Sequence, residues 1–362
     1  MPEQHLESIT LRGYKSIREL SEFPMHRGLN VLIGANGSGK TNFIRFFDLL
    51  AHMMDPNKGL QNYVAERGRA DAFLFRGMKV TPELQAELKF GRNEYRFTLR
   101  AAADRSLFFA QESAPFNGPH HGQSIYEQGS GHLESKVARN DQQIRALTWA
   151  KSTIQNWRLY HFHDTSSSAP VMGLCNTVDN AQLHGDASNL AAVLTQLQEW
   201  QHEHFKRIVE TVRQVAPFFG EFVLRDISGK TQLLWKDRHS DLVLYPHQLS
   251  DGTLRYICLA TLLLHPTPPS LVLIDEPELG LHPTAIKLLG SLLNEASAHT
   301  QLIVSTQSSQ LVDELTPEQV IVVGQKDGES TFERLSTPKL EDWLEEYTLG
   351  QLWEKNEFGG LP

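Results

Sequence analysis

The segment Gly34–Thr41, with the sequence GANGSGKT, has the residue types and spacing of a phosphate-binding loop. It fits the pattern G-x-x-x-x-G-K-[ST] and stands between an apolar, strand-like stretch and a helical pattern. Glycines let such a loop curl so that its backbone N–H groups point inward, and the positive end of the following helix faces the same phosphates. We expect Lys40 to reach the β- and γ-phosphates and the Thr41 hydroxyl to bind Mg²⁺. The loop therefore predicts binding of a nucleoside triphosphate.

A pair of carboxylates in the segment Leu271–Pro277, LVLIDEP, is the second candidate site. Four apolar residues predict a buried strand, so Asp275 is expected at its carboxyl end, where the nucleotide crevice of a parallel sheet lies. We predict that Asp275 holds the Mg²⁺ through water and that Glu276 is the general base for the attacking water. An acidic pair after a strand can also be a solvent-facing turn, but its combination with a phosphate loop favours the catalytic interpretation.

The segment Gln248–Thr253, QLSDGT, lies 25 residues before Asp275 and directly ahead of a predicted helix over 254–264. Taken alone, Ser250 would suit an ordinary helix N-cap. With Ser250 and Gly252 in place, however, the segment resembles the LSGGQ signature of ABC-type ATPases. The resemblance implies that these two residues complete the nucleotide site of a second subunit, so that ATP drives formation of a homodimer.

Taken together, the motifs resemble the RecF/SMC-like branch of ABC-type ATPases, nearest to OLD-type heads and to the AAA proteins called predicted ATPases. The segments Leu11–Ile17 (LRGYKSI) and Glu276–Pro283 (EPELGLHP) add to this resemblance. It implies an α/β fold, an ABC-type ATPase head with a mixed central β-sheet, an antiparallel β-subdomain and an inserted helical subdomain, and it implies ATP and Mg²⁺ as cofactors. The implied nucleotide-binding residues are Lys15, Gly34, Asn36, Gly37, Ser38, Gly39, Lys40, Thr41, Asn42, Ser250 and Gly252, with Thr41 and Asp275 on the metal.

The sequence departs from this family pattern at two places. Where ABC proteins place a switch histidine, the chain has Gln307, which can hydrogen-bond a γ-phosphate or orient water but cannot carry a proton. We therefore expect slow hydrolysis, with Lys40, Glu276 and Gln307 as the catalytic residues. The glutamine of the family's Q-loop has no clear counterpart, since Gln61 and Gln85 are both candidates. No coiled coil separates the two halves of the chain, and the stretch after residue 310 is expected to be too short for the nuclease module of OLD-type proteins.

The elements that must position these residues follow from hydrophobic patterning. We predict strands at 9–12, 29–33, 271–275 and 301–305, an edge strand at 320–323, and helices at 40–54 and 284–298. We also predict a hairpin over 80–99, a loop over 110–131, helical segments over 136–158 and 186–215, and an amphipathic tail over 340–350. The expected parts are an N-terminal ATPase lobe (1–105), an insertion with a helical subdomain (106–245), a C-terminal ATPase lobe (246–335) and an acidic tail (336–362).

The composition excludes several classes of protein. The 362 residues include 43 acidic and 34 basic side chains, and the hydrophobic fraction of 40% indicates a folded globular chain rather than a disordered or fibrous one. Two cysteines, Cys175 and Cys258, are too few for a disulfide framework or a cysteine metal site. The absence of a membrane-length apolar stretch and of a secretory pattern leads us to expect a cytoplasmic protein with no membrane contact.

Three features leave alternatives open. The basic surplus over 136–158 suits a solvated helix face or contact with DNA phosphates. The histidine pairs His120/His121, His161/His163 and His202/His204 are expected to be structural or surface residues rather than metal ligands. The acidic tail either packs on its own domain or docks a partner. We thus predict an ATP-driven dimerising switch in DNA maintenance or antiphage defence. The alternative is a module that gates a separately encoded effector such as a nuclease, and a transporter ATPase fits less well.

Overall fold

The computed structural model describes residues 5–118, 122–140 and 144–360. Its strands are β1 Ser8–Tyr14, β2 Ile17–Pro24, β3 Leu29–Ile33, β4 Glu83–Phe90, β5 Asn93–Ala101, β6 Leu107–Gly118, β7 Gly122–Glu127, β8 Trp157–Tyr160, β9 Cys175–Asn176, β10 Phe219–Val223, β11 Lys230–Thr231, β12 Leu234–Asp237, β13 Val243–Leu244, β14 Leu271–Asp275, β15 Gln301–Thr306, β16 Val320–Lys326 and β17 Glu329–Arg334. Its helices are α1 Lys40–Met54, α2 Leu60–Glu66, α3 Lys136–Arg139, α4 Arg145–Gln155, α5 Leu190–Trp200, α6 His202–Val215, α7 Asp251–Leu263, α8 Pro283–Ala296, α9 Ser309–Val312, α10 Thr337–Leu344 and α11 Leu349–Glu354.

A six-stranded mixed sheet, in the order β17-β16-β3-β15-β14-β8, carries the predicted chemistry. Strands β16, β3, β15, β14 and β8 run parallel, and only β17 is antiparallel. The register pairs Ile33 with Thr306, Asp275 with Ser305, and Ile274 with Tyr160. The carboxyl ends of β3, β15, β14 and β8 therefore meet at one edge of the sheet. The prediction of an edge strand at 320–323 was wrong, because β16 lies between β3 and β17.

A second six-stranded sheet is antiparallel, in the order β2-β1-β4-β5-β6-β7. Its strands β6 and β7 occupy the region for which Gly, Ser, Pro and His predicted a loop over 110–131, so that prediction was wrong. The reason is tertiary: β6 pairs with β5 along its length, and the fully buried Glu112 accepts hydrogen bonds from Tyr95 Oη (2.8 Å) and Lys136 N (2.9 Å). Partners of this kind override the low strand propensity of the segment. The sheet also continues beyond residue 105, where the sequence predicted a domain boundary.

Two hydrophobic cores enclose the mixed sheet. Side chains alternate across a strand, so Leu271 and Leu273 pack with α1 and the antiparallel sheet, whereas Val272 and Ile274 pack with α5 to α8. Helix α1 spans the predicted range, and Phe43, Phe46, Phe47 and Leu50 on its inner face are buried as expected. The phosphate-loop helix is therefore held between both sheets.

Three helical predictions need correction. The segment 136–158 forms two helices, α3 and α4, followed by strand β8. The segment 186–215 is divided at Gln201 into α5 and α6, and the tail forms α10 and α11 rather than one helix. In the tail, Leu340, Leu349, Leu352 and Trp353 are buried, so it packs on its own chain. None of the helices in the described ranges is both long and apolar enough to cross a membrane.

Candidate nucleotide-binding and active site

The loop Gly34–Thr41 connects β3 to α1 and is built around glycines with positive φ. Gly34 (φ 150°) and Gly39 (φ 116°) are crowded, because a Cβ atom there would lie 2.1 Å from Val323 O and 2.1 Å from Ser330 Oγ respectively. Gly37 (φ 79°) is different, since a Cβ there would meet no atom within 4 Å. The loop is therefore pressed against β16 and β17 at its ends and open to solvent at its tip.

A cluster of hydroxyl and amide groups fixes the loop from behind. Ser330 Oγ, on β17, lies 2.6 Å from Ser38 O and 2.8 Å from Ser16 Oγ. Asn42 Nδ2 donates to the same Ser16 hydroxyl at 2.8 Å. Ser16 belongs to the turn between β1 and β2, so the loop is joined to both sheets.

Lys40 crosses the loop that it terminates. Its Nζ donates to Gly34 O (2.5 Å) and Ala35 O (2.9 Å). Burial lowers the pKa of Lys40, while the charges of Glu276, Asp275 and Glu278 act to raise it. The strand register places the carboxyl end of β3, from which the loop starts, and that of β14 at the same edge of the sheet.

The residues of the loop fit a triphosphate. Helix α1 begins at Lys40, and its N-cap Gly39 supplies no side chain to the free N–H groups of the first turn. Ser38 Oγ is buried without a hydrogen-bond partner among the described residues, which leaves it able to bind a phosphate oxygen. Thr41 and Asp275 supply the hydroxyl and carboxylate oxygens that Mg²⁺ prefers. Asn36 and Gly37, at the tip, are exposed.

The carboxyl end of β14 holds the predicted general base. Glu276 lies at φ 46°, and its backbone N–H donates to Ser305 O at 3.0 Å. Gln307 Nε2 donates to Glu276 Oε1, so the two predicted catalytic side chains are in direct contact. Ser305 Oγ donates to Asp275 Oδ1. Strand β15 thus orients both carboxylates of the pair.

Glu278 is a residue that the sequence did not single out. Its Oε1 accepts hydrogen bonds from Thr306 Oγ1 (2.6 Å) and Gln307 N (2.9 Å), whereas Oε2 is buried without a partner. Burial raises the pKa of Glu278, and the charge of Glu276 adds to this increase. The carboxyl group connects the end of β15 to the turn that follows β14.

The signature segment lies at the start of α7. Ser250 is exposed, caps the helix by accepting from Thr253 N (3.2 Å), and lies 2.8 Å from Thr253 Oγ1. A Cβ at Gly252 would be 2.5 Å from Gly280 O, so the signature turn packs closely on the turn after β14. The contacts found for Ser250 in the described part of the chain stay within its own helical turn.

Arg255, one turn further along α7, holds three separate carbonyls. Its guanidinium donates to Phe162 O (2.9 Å), His163 O (2.8 Å) and Leu279 O (2.7 Å). The signature helix, the end of β8 and the turn after β14 are therefore fixed relative to one another. No sequence signal marked Arg255, because its partners are backbone atoms far away in the chain.

The structure brings the pair His161/His163 close to Asp275, a proximity that the sequence did not indicate. Ligand atoms of His161, His163 and Asp275 all lie within 4.8 Å of one another. Both histidines follow β8, which the register places beside β14. The pair His202/His204 is not part of such a group among the described residues, and the pair His120/His121 lies outside them.

The side chains of the other predicted site residues contact groups outside the phosphate loop. Lys15 Nζ stacks over the rings of Tyr14 (5.7 Å) and Phe73 (5.5 Å), and burial together with Arg45 and Arg67 lowers its pKa. Both candidates for the Q-loop glutamine make their hydrogen bonds away from the carboxyl ends of the mixed-sheet strands. Gln61 donates to Leu107 O and Leu133 O, and Gln85 to Glu83 Oε1 within β4.

The carboxyl-terminal segment contacts the phosphate loop, which the sequence did not indicate. Ala35 N donates to Gly360 O at 2.6 Å. Nearby, Ser309 Oγ donates to Glu354 Oε1 at 2.5 Å. Helix α11 and the residues after it therefore join the phosphate loop to α9, the helix that follows Gln307.

Comparison with known proteins identifies the family of the chain. The profile of the AAA_21 family, described as "AAA domain, putative AbiEii toxin, Type IV TA system", matches residues 29–313. This range is more than half of the chain and contains the phosphate loop, the signature turn, the carboxylate pair and Gln307. The chain belongs to the AAA_21 family.

Two solved structures show that this AAA_21 protein has the fold of an SMC head. The SmcHead bound to the C-winged helix domain of ScpA has a TM-score of 0.58 at 19% identity and covers 93% of this chain and 99% of that one. The Smc head domain with an extended coiled coil bound to the C-terminal domain of ScpA, from Pyrococcus furiosus, has a TM-score of 0.55 at 17% identity and covers 94% and 99%. The predicted fold, an ABC-type ATPase head with a mixed central sheet and an antiparallel subdomain, is confirmed.

One curated relative is similar to a shorter part of the chain. The "Putative ABC transporter ATP-binding protein" of Methanosarcina acetivorans is 37% identical over 81 residues, which is 22% of this chain and 28% of that protein. The match thus spans less than a third of the relative's length. The AAA_21 match and the SMC-head fold agree with the resemblance that the motifs predicted.

Proposed function

We propose that this chain is a Mg²⁺-dependent ATPase that closes into a homodimer on ATP and acts as a molecular switch. Lys40 and the loop around it bind the triphosphate, and Thr41 and Asp275 hold the Mg²⁺. Ser250 and Gly252 of the partner subunit complete the site from the opposite side. Hydrolysis then releases the two copies.

One observation carries the shared site: Ser250 is exposed and its contacts in the described chain are local, whereas the phosphate loop is fixed by both sheets. A hydroxyl at a helix start is a donor suited to a phosphate oxygen. Its exposure leaves it accessible to a second copy. Close packing of Gly252 on Gly280 makes the signature turn rigid.

Within each site, Glu276 takes the proton of the attacking water. Gln307 holds the Glu276 carboxylate in place and can donate a hydrogen bond, but it cannot accept and release the proton itself. Hydrolysis therefore depends on a single base, and we propose that it is slow enough for the ATP-bound dimer to persist as a signal.

The Glu276→Gln variant tests the proposal. A neutral amide keeps the hydrogen bonding but cannot act as base, so the variant should bind ATP and accumulate as a dimer in size-exclusion chromatography with light scattering. A second substitution, Ser250→Trp, should return the Glu276→Gln protein to a monomer. Glu199→Gln, at an exposed position on α5, is the matched control and should behave like the wild type. A Glu276→Gln protein that binds ATP yet stays monomeric would refute the shared site.

For the pathway, we propose a role in DNA maintenance or antiphage defence. The support is the basic segment 136–158, in which Lys136, Arg139 and Arg145 are exposed on α3 and α4. Salt-dependent binding to DNA, measured by fluorescence anisotropy, should weaken in the double variant Arg139→Glu/Arg145→Glu. If no DNA changes the ATPase rate and no salt-sensitive binding is found, this role is wrong.

The second candidate is a module that gates a separately encoded effector. The two SMC heads above were solved bound to domains of another protein, ScpA. In this chain α10 exposes Glu341, Asp342 and Trp343, the last with 44% of its surface accessible. A partner recovered stoichiometrically from native cells, and lost with Glu341→Lys/Asp342→Lys, would favour this function. Recovery of the chain alone would count against it.

The proposed division of the chain keeps four parts, with one change. Strands β6 and β7 pair into the antiparallel sheet, and β8 pairs into the mixed sheet. We therefore propose that the first ATPase lobe includes residues up to 160, and that the inserted subdomain lies between β8 and the signature turn.

A further inference from the structure

His161, His163 and Asp275 form a group with the composition of a metal site. Two imidazoles and one carboxylate have ligand atoms within 4.8 Å of one another, and the histidine ring centroids are 6.1 Å apart. The amino-acid sequence separates the histidines from the carboxylate by most of the inserted subdomain. The group exists only because β8 and β14 are neighbours in the sheet.

The backbone directs both imidazoles to the same side. Residues two apart on an extended chain point to the same face, so His161 and His163 share one face. Phe162 between them points the other way. Its side chain is 8% exposed, and its ring centroid lies 5.7 Å from that of Tyr160. Parallel pairing of Ile274 with Tyr160 then sets the last residue of β14 beside the residues that follow β8. Asp275 is the residue directly after Ile274.

Hydrogen bonds hold the backbone of both histidines and one carboxylate oxygen of Asp275 in place. His161 N donates to Gly185 O at 2.8 Å, and Arg255 binds the carbonyls of Phe162 and His163. Asp275 is fixed through Oδ1 by Ser305, with Oδ2 as its second donor atom. A ligand set whose backbone is already fixed loses less entropy on binding an ion.

We propose that His161, His163 and Asp275 bind a divalent first-row transition-metal ion, of the class of Co²⁺, Mn²⁺ or Zn²⁺. Imidazole nitrogen suits these ions, whereas Mg²⁺ prefers oxygen ligands. Two histidines and one carboxylate leave coordination positions open for water or another oxygen ligand. The exposure of His161 gives an ion access from solvent. The site shares Asp275 with the proposed magnesium position but is predicted to fill without nucleotide.

The test is a titration of Co²⁺ into untagged, metal-stripped protein without nucleotide, followed by the visible absorption of Co²⁺ bound to nitrogen ligands. We expect one equivalent of Co²⁺ to bind. His161→Ala and His163→Ala should each raise the Kd about tenfold or more. His202→Ala removes an exposed histidine at the start of α6 and should leave the Kd unchanged. Excess Mg²⁺ should not displace the Co²⁺, whereas Zn²⁺ should.

The Lys40→Ala variant separates this proposal from the ATPase proposal. It should lose ATP binding and keep the Co²⁺ site, because Lys40 contributes no ligand. Wild-type affinity no higher than that of the His161→Ala/His163→Ala double variant would overturn the proposal. An equal loss of Co²⁺ affinity in His202→Ala, or displacement by Mg²⁺, would also overturn it. Circular dichroism of each variant confirms that the fold is retained.

Discussion

Helices α1 and α7 both begin at segments that the sequence assigned to nucleotide binding, yet their first turns are built differently. Helix α1 follows Gly39, which has no side chain to cap it, and Lys40 folds back over the loop. Helix α7 follows Ser250, whose hydroxyl accepts from Thr253 N. The first helix start leaves its N–H groups available, and the second satisfies one of them with its own serine.

The difference supports the proposal that two copies of the chain share each nucleotide site. An uncapped helix start is a ready anion site, since its free N–H groups and the helix dipole both favour negative charge. A serine-capped start on an exposed turn instead presents a hydroxyl. In the proposed dimer, the start of α1 binds the phosphates within its own copy, and the start of α7 contacts the phosphates bound by the other copy.

The largest expected effect is at Lys40, at the start of α1. Lys40→Ala removes the buried ammonium group that donates to two loop carbonyls, and we expect ATP affinity to fall roughly 100-fold or more, as when one partner of a buried charge pair is removed. Isothermal titration calorimetry measures the affinity. Lys58→Ala, at an exposed lysine after α1, is the matched control. Unchanged ATP binding in Lys40→Ala would contradict the proposal that the start of α1 binds the phosphates.

The second prediction concerns Ser250, at the start of α7. Ser250→Ala should cost about 1 kcal/mol of stability through loss of the N-cap. It should reduce the ATPase rate by about 100-fold, as loss of one transition-state donor does. Thr348→Ala removes the similar cap of α11, which accepts from Gln351 N, and should cost stability alone. If the two variants keep the same ATPase rate, Ser250 is merely a cap.

The third prediction separates crowding from backbone conformation in the phosphate loop. Gly39→Ala places a Cβ 2.1 Å from Ser330 Oγ at φ 116°, and we expect it to destabilise the fold by about 1–3 kcal/mol. Gly37→Ala has only the positive φ to overcome and should cost about 1 kcal/mol. Chemical denaturation measures both values.

A companion substitution provides the internal check on this pair. Ser330→Gly removes the atom that a Cβ at Gly39 would meet, so it should partly restore the stability of Gly39→Ala and do nothing for Gly37→Ala. Equal costs for the two glycine variants would mean that the contact with β17 is unimportant for the loop.

The smallest expected effect is at Glu278, in the turn that follows β14. Because its folded-state pKa is raised, its stabilising contribution is fully present below the ordinary carboxyl pKa and is lost as the pH rises through the folded-state value. Glu278→Gln should therefore raise the Tm by a few degrees at pH 7 while keeping the bonds from Thr306 and Gln307. The gain should vanish near pH 4, and an equal gain at both pH values would contradict this origin.

The sequence identified the residues whose roles depend on local order. A glycine loop between a strand and a helix, an acidic pair after an apolar strand, and a serine before a helix are all short-range patterns, and each lies where the pattern placed it. Alternating hydrophobicity likewise predicted the β4–β5 hairpin and the buried face of α1. The loop predicted over 110–131 failed because pairing with β5 and the partners of Glu112 outweigh local propensity.

By itself, then, the sequence determined the phosphate loop, the carboxylate pair, the signature turn and the family. Only the tertiary structure decided that Gln307 contacts Glu276, that Gly360 reaches Ala35, and that His161 and His163 meet Asp275. These contacts join distant parts of the chain. They depend on strand order and on parallel register, which many residues fix together and which no short segment encodes.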